Sequence, residues 1–171
     1  NAMRVYNAED YKAASRELGN YIKRFGDKGF FILQANYYKA ECDFYTDKED
    51  EALVHYQYVV DQSRNEFTEK SLIKLSNTYY NRKKYEQAIV YYQKLEPIAA
   101  SKSTYLNTIL GQIRSHEFLS NFEQAKAKAI QLLPIENVPV ENLVEANMLL
   151  GRVQLQDSNY RSAKFHFDYI I

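Results

Sequence analysis

One small residue returns along this chain at a nearly constant interval. Ala14, Ala52, Ala88, Ala125 and Ala163 are separated by 38, 36, 37 and 38 residues. Three positions before each stands an aromatic or acidic residue: Tyr11, Glu49, Tyr85, Phe122 and Tyr160. Four positions after come Leu18, Tyr56, Tyr92, Ala129 and Phe167, and seven after come Tyr21, Val59, Leu95, Leu132 and Ile170. A spacing of i, i+4, i+7 is one face of an α-helix. Each alanine therefore lies on a buried helix stripe, where a small side chain lets a partner helix approach to the roughly 8–10 Å between axes that helix packing requires.

Ahead of the last four alanine helices runs a second helical segment, over about 29–45, 66–81, 103–119 and 140–156. The connections between the two are short and polar: Thr46-Asp47-Lys48, Arg82-Lys83-Lys84, Ser120-Asn121 and Asp157-Ser158-Asn159. Short loops join antiparallel neighbours. Pro134 and Pro139 bracket a longer linker, and Pro139 suits the first turn of the next helix. The expectation is a single all-α domain of nine helices, a second helix over 8–25 followed by pairs over 29–63, 66–100, 103–133 and 140–171. No segment alternates with period two, and 5 Gly and 3 Pro supply too few turns for an all-β fold.

This repeat resembles the tetratricopeptide repeat, two helices in about 34 residues. With Ala88 at the family's position 20, Leu72, Leu75 and Tyr79 fall on positions 4, 7 and 11, Ser76 on the small position 8, and Tyr85 and Tyr92 on 17 and 24. The last repeat places Leu150 and Gly151 on positions 7 and 8, followed by Tyr160, Ala163 and Phe167. Two repeats depart from the pattern. Lys39 and Asp43 replace apolar residues although Ala40 keeps the small site, and Ile113 and His116 stand at a small and a tyrosine site. The Sel1-like repeat has a similar length, but its Gly-x-Gly turn is missing. Phe25-Gly26-Asp27-Lys28 followed by Ala35 to Ala40 is similar to the inter-repeat segment of bacterial cell-envelope repeat proteins, such as the Tol–Pal-associated cell-division coordinator and the outer-membrane lipoprotein assembly factors. That likeness leans towards a periplasmic or envelope location.

The resemblance implies an α-solenoid of antiparallel helix pairs, a right-handed superhelix whose first helices line a concave groove. It implies a protein–protein interaction scaffold that holds a peptide or a protein surface. The family's groove positions fall on Tyr37, Ile73, Leu110 and Met148; on Glu41, Asn77, Arg114 and Arg152; on Phe44, Tyr80, Glu117 and Leu155; and on Tyr45, Asn81, Phe118 and Gln156. Aromatic residues and arginine dominate binding hot spots. The same aromatics can pack between repeats, and Glu117 at i+3 can engage Arg114, leaving Arg152 the less committed. Family members that clamp a C-terminal carboxylate use Lys and Asn where Tyr37 and Glu41 stand, so that clamp is absent.

The remaining chemistry is sparse. Lys plus Arg and Asp plus Glu are 22 each, with no basic stripe to neutralise phosphates, so no nucleic-acid partner is expected. Cys42 is alone, and its acidic neighbours Glu41 and Asp43 disfavour the thiolate. His55, His116 and His166 form no known catalytic or metal motif, so neither an enzyme nor a cofactor is expected. The acidic run Asp47, Glu49, Asp50, Glu51 reads as a helix N-terminus favoured by the macrodipole rather than a calcium loop. No apolar run reaches the ~18 residues of a membrane span. Asn1-Ala2-Met3 reads as an expression-tag remnant. The chain reads as cut from a longer repeat protein, with Phe165 to Ile171 an uncovered end through which copies could associate. The alternative functions are a structural or self-association module, and a regulatory repeat domain of a larger enzyme or DNA-binding protein.

Overall fold

A computed structural model describes residues 2–170; Asn1, read as part of a tag remnant, and Ile171, the last of the apolar C-terminal run, lie outside the described residues. Among these residues there are ten α-helices and no strand. They are α1 Ala2–Asn7, α2 Tyr11–Phe25, α3 Ile32–Tyr45, α4 Glu49–Val60, α5 Thr68–Asn81, α6 Tyr85–Leu95, α7 Lys102–Phe118, α8 Phe122–Leu132, α9 Val140–Gln156 and α10 Tyr160–Asp168. Short 3-10 turns follow α2 and α6, at Gly26–Lys28 and Glu96–Ile98. The five alanines of the sequence register are all buried, on α2, α4, α6, α8 and α10. The expected count of nine helices is one too few, because α1 has 6 residues. That is under two turns, too short for a periodicity to show.

The turn joining each pair is one backbone conformation used five times. Glu9, Asp47, Lys83, Ser120 and Ser158 all adopt positive φ, between 56° and 59°. Each stands five residues before its alanine. The following N–H, of Asp10, Lys48, Lys84, Asn121 or Asn159, donates to the carbonyl five residues back at 2.8–3.3 Å. The N–H of the positive-φ residue donates to the carbonyl three back. This is the Schellman arrangement, which satisfies the last carbonyls of the first helix. The residue after it becomes the N-cap of the second helix. Asp10 and Asn159 accept there from Ala13 N–H at 3.0 Å and Ser162 N–H at 3.2 Å. Lys48 and Lys84 carry no acceptor and make no such bond.

The chain divides into two compact units, Asn1–Leu75 and Ser76–Ile171. In the first, Ala14, Leu18, Ala35 and Cys42 form a core wrapped by Tyr6, Tyr11 and Tyr38. The two residues that break the apolar pattern of α3 are paired there. Lys39 Nζ donates to Asp43 Oδ2 at 2.8 Å and to Ser15 Oγ at 3.1 Å, and Ser15 Oγ donates to Asp43 Oδ1 at 2.6 Å. A buried carboxylate is costly unless it is paired and hydrogen-bonded, and here both oxygens are.

In the second unit Ile109, Ile113, Leu132, Leu149 and Leu150 form the core, each worth about 1.5–3 kcal/mol on burial. Two glycines set its closest approaches. A Cβ at Gly111 would lie inside 3.0 Å of the Tyr92 ring, and one at Gly151 inside 3.0 Å of the Phe167 ring. Gly151 thus meets the bulky residue of its own pair. In α7, where Ile113 takes the small site, Gly111 makes room for the ring of α6 instead.

Candidate functional site

The residues expected to line a groove divide sharply by burial. In the first unit, Tyr37 is buried and stacks on Phe67, ring centroids 4.7 Å apart. Glu41 is buried as well, accepts from the Tyr56 hydroxyl and lies 3.7 Å from Lys74 Nζ. Phe44 is half-buried, with Lys74 Nζ 4.4 Å from its ring centroid. Ile73 is half-buried on the preceding turn of α5. Tyr37 and Glu41 are therefore packing groups rather than open recognition groups. The ring fills space between α3 and Phe67, and the carboxylate holds the hydroxyl of α4. Burial also raises the pKa of both tyrosines, Glu41 adding to the effect, so the phenols stay protonated. Cys42 is buried, and burial followed by Asp43 pushes its thiol up to about 11. That thiol is no nucleophile.

In the second unit Leu110 is buried in the core and cannot reach a ligand. Asn77 is exposed and accepts from the Tyr92 hydroxyl at 3.0 Å. This bond has the register of the Tyr56–Glu41 bond, a second-helix tyrosine reaching a first-helix acceptor fifteen residues earlier. Phe118 stacks on Tyr85, centroids 4.6 Å apart and planes 8° from parallel, with Tyr80 edge-on to Tyr85 at 5.6 Å.

The two arginines are both engaged, in a way the sequence did not suggest. Arg114 donates from Nε and Nη2 to the two carboxylate oxygens of Glu145, both at 2.6 Å. Arg152 donates to Glu117. Instead of the i+3 contact open to Arg114 and Glu117, the two helices exchange ion pairs, α7 to α9 and α9 to α7. The bidentate fork holds the guanidinium planar against its carboxylate and raises the Arg114 pKa further. The separations, 31 and 35 residues, both fall short of the 36–38 residue repeat. Rules confined to i+3 and i+4 miss Glu145, which stands 31 residues from Arg114.

Along this face α7 presents Arg114, Glu117 and Phe118, and α9 presents Glu145, Met148, Arg152 and Leu155. Their spacings are those of one helix stripe. Phe118, Met148 and Leu155 are 62%, 38% and 45% exposed. The result is three open apolar side chains among two charged bridges. A separate polar cluster stands at the end of α6. Glu96 accepts from Gln112 and Lys128 at 2.6 Å and from Gln131 at 2.7 Å. Burial opposes the charge, but these three donors outweigh it and hold the carboxyl below its ordinary range. With both oxygens occupied, Glu96 ties α6, α7 and α8 together and has no site left for a proton-transfer role.

Among the described residues no group of three His, Cys, Asp or Glu is placed to hold a metal ion, and no helix is long and apolar enough to cross a membrane. A comparison with protein families, curated proteins and solved structures gives no significant match.

Proposed function

We propose that this chain is a helical-repeat module of tetratricopeptide type that binds another protein, holding a peptide or a protein surface against its first helices. The repeat assignment is supported by the alanine register and by the shared turn, two independent features with the same 36–38 residue interval. The observation that carries the binding reading is the α7–α9 face, where Phe118, Met148 and Leu155 stay open beside the Arg114–Glu145 and Arg152–Glu117 bridges. Open apolar groups ringed by polar pairs have the anatomy of a protein interface. The bridges hold the long side chains in place before a ligand arrives, which lowers the entropy cost of binding. The likeness of the segment Phe25 to Lys28 to cell-envelope repeat proteins supports an envelope location for the partner.

The test is capture of a partner from the source organism, followed by titration against purified variants. Met148→Glu with Leu155→Glu places charge on the open row and should weaken binding at least tenfold, about 1.4 kcal/mol, with the melting temperature nearly unchanged. Equal affinity for wild type and double variant would move recognition to another face.

A further inference from the structure

The turn between α5 and α6 differs in charge from the other four. It is built of Arg82, Lys83 and Lys84, where the corresponding turns carry Glu9 and Asp10, Asp47 and Lys48, Ser120 and Asn121, and Ser158 and Asn159. Lys83 and Lys84 are exposed. Within residues 80–87 three cations stand against one acid, Glu86. Tyr80 precedes this turn and Tyr85 follows it, and their rings meet edge to face with centroids 5.6 Å apart. Phe118, at the end of α7, completes the group. It lies parallel to Tyr85 at 4.6 Å and tilted against Tyr80 at 6.5 Å.

Stacking covers one face of the Phe118 ring, and at 62% exposure the other face is left to solvent. The neighbours of α7 are in place around it: it packs on α6 and α8 and exchanges ion pairs with α9. The open ring is therefore a property of the packed repeat. The first unit contains the same stack, Tyr11 on Tyr45 with centroids 4.6 Å apart, but beside a turn of Glu9 and Asp10. The stack is shared and the charge beside it is not. Glu117, next to Phe118 in sequence, is held by Arg152. The ammonium groups of Lys83 and Lys84 thus give this patch its sign.

We propose that the Phe118 ring and the Lys83–Lys84 turn form a recognition site for an aromatic side chain flanked by acidic residues in a partner protein. The partner's ring continues the Tyr85–Phe118 stack, in the parallel geometry that aromatic pairs favour. Its carboxylates meet the two ammonium groups, which steers the encounter and rejects basic partners. The proposal rests on the reading of this chain as a protein-binding module and names the chemistry of its partner at the end of α7. A nucleic acid also offers rings and anions, but Glu86 and Glu117, each next to a stacked ring in sequence, oppose an unbroken run of phosphates.

The chain contains no tryptophan, so a probe that carries one is the sole indole in the sample. The probe is an acetylated and amidated pentapeptide, one tryptophan with two glutamates on each side, which fits in either chain direction. Titration with the protein should give a saturable change in its emission, with a dissociation constant below about 1 mM. Phe118→Ala, or Lys83→Gln with Lys84→Gln, should weaken binding several-fold, with circular dichroism confirming that each variant keeps its helices. The lysine effect should fade with added salt. No saturable response up to about 1 mM, or an equal response to the pentapeptide with lysine in place of glutamate, overturns the proposal. A thymidine oligonucleotide that binds more tightly than the pentapeptide assigns the patch to nucleic acid and overturns it as well. The captured partner separates this site from the Met148–Leu155 row. Binding weakened by Met148→Glu with Leu155→Glu but not by the lysine pair keeps the row and overturns this site. The reverse pattern keeps this site and overturns the row.

Discussion

Asn36 and Asn147 occupy the same register, sixteen residues before Ala52 and Ala163, and each is held in the same way. The amide donates to the carbonyl four residues back, of Ile32 or Leu143, at 2.9 Å, and its oxygen faces the Nδ1 of His55 or His166. An amide oxygen only accepts, so Nδ1 carries the proton. Burial lowers the pKa of His55, with the Lys39 charge adding to it and Asp43 opposing. Burial alone lowers that of His166, and burial with Lys128 lowers that of His116. All three therefore favour the neutral ring in the folded state. The unfolded chain takes up these protons from about pH 6.5 downwards. Stability is then full above that value and falls as the pH drops towards the depressed folded values. The urea midpoint should decrease between pH 7.5 and pH 5.5, above the range in which Glu96 titrates. A flat midpoint across that window would mean that the imidazoles are not held neutral.

The turn is the element most faithfully copied, yet none of its five positive-φ residues is glycine. Left-handed backbone costs an ordinary L-residue about 1–2 kcal/mol, and glycine avoids this at some cost in unfolded-chain entropy. Lys83 is a β-carbon residue without the short polar side chain that eases this conformation in Asp47. Lys83→Gly should stabilise the protein by about 0.5–1 kcal/mol, read from the denaturant midpoint at constant slope. A loss of stability would show that the lysine side chain contributes more than its backbone costs. The absence of glycine explains why the turns read in the sequence only as short polar stretches. Their common geometry follows from Schellman bonding between backbone groups, which many side chains tolerate.

For the molecule as a whole, two aromatic side chains at and just after α10 stand open. Phe165 and Tyr169 are 71% and 54% exposed. An open apolar patch of this kind promotes association. Light scattering should report a mass that rises with concentration, and Phe165→Glu should shift that rise to higher concentration without changing the melting temperature. A constant monomer mass at every concentration would remove this end as an association surface. Burial at Tyr37, Glu41 and Leu110 also narrows the recognition surface at this scale. Of the sixteen side chains placed on the groove by resemblance, these three serve the interior.

The helical class, the pairing of helices and the buried alanine stripes were determined by the sequence itself. A helix period of 3.6 residues and a repeat of 36–38 residues are properties of order along the chain. Polar partners were decided only by the tertiary structure. Lys39 and Asp43 looked like defects until Ser15 joined them, 24 and 28 residues away in sequence. Arg152 looked uncommitted, and Arg114 had only Glu117 within reach, until α7 and α9 exchanged ion pairs. α1 was invisible as a helix because six residues hold too little periodicity, and only its turn placed it in register with the other first helices. The reason is common to all three. Local periodicity depends on neighbours a turn away, whereas a buried charge or a short helix is stabilised by groups on other elements, which come within reach only once the helices have packed.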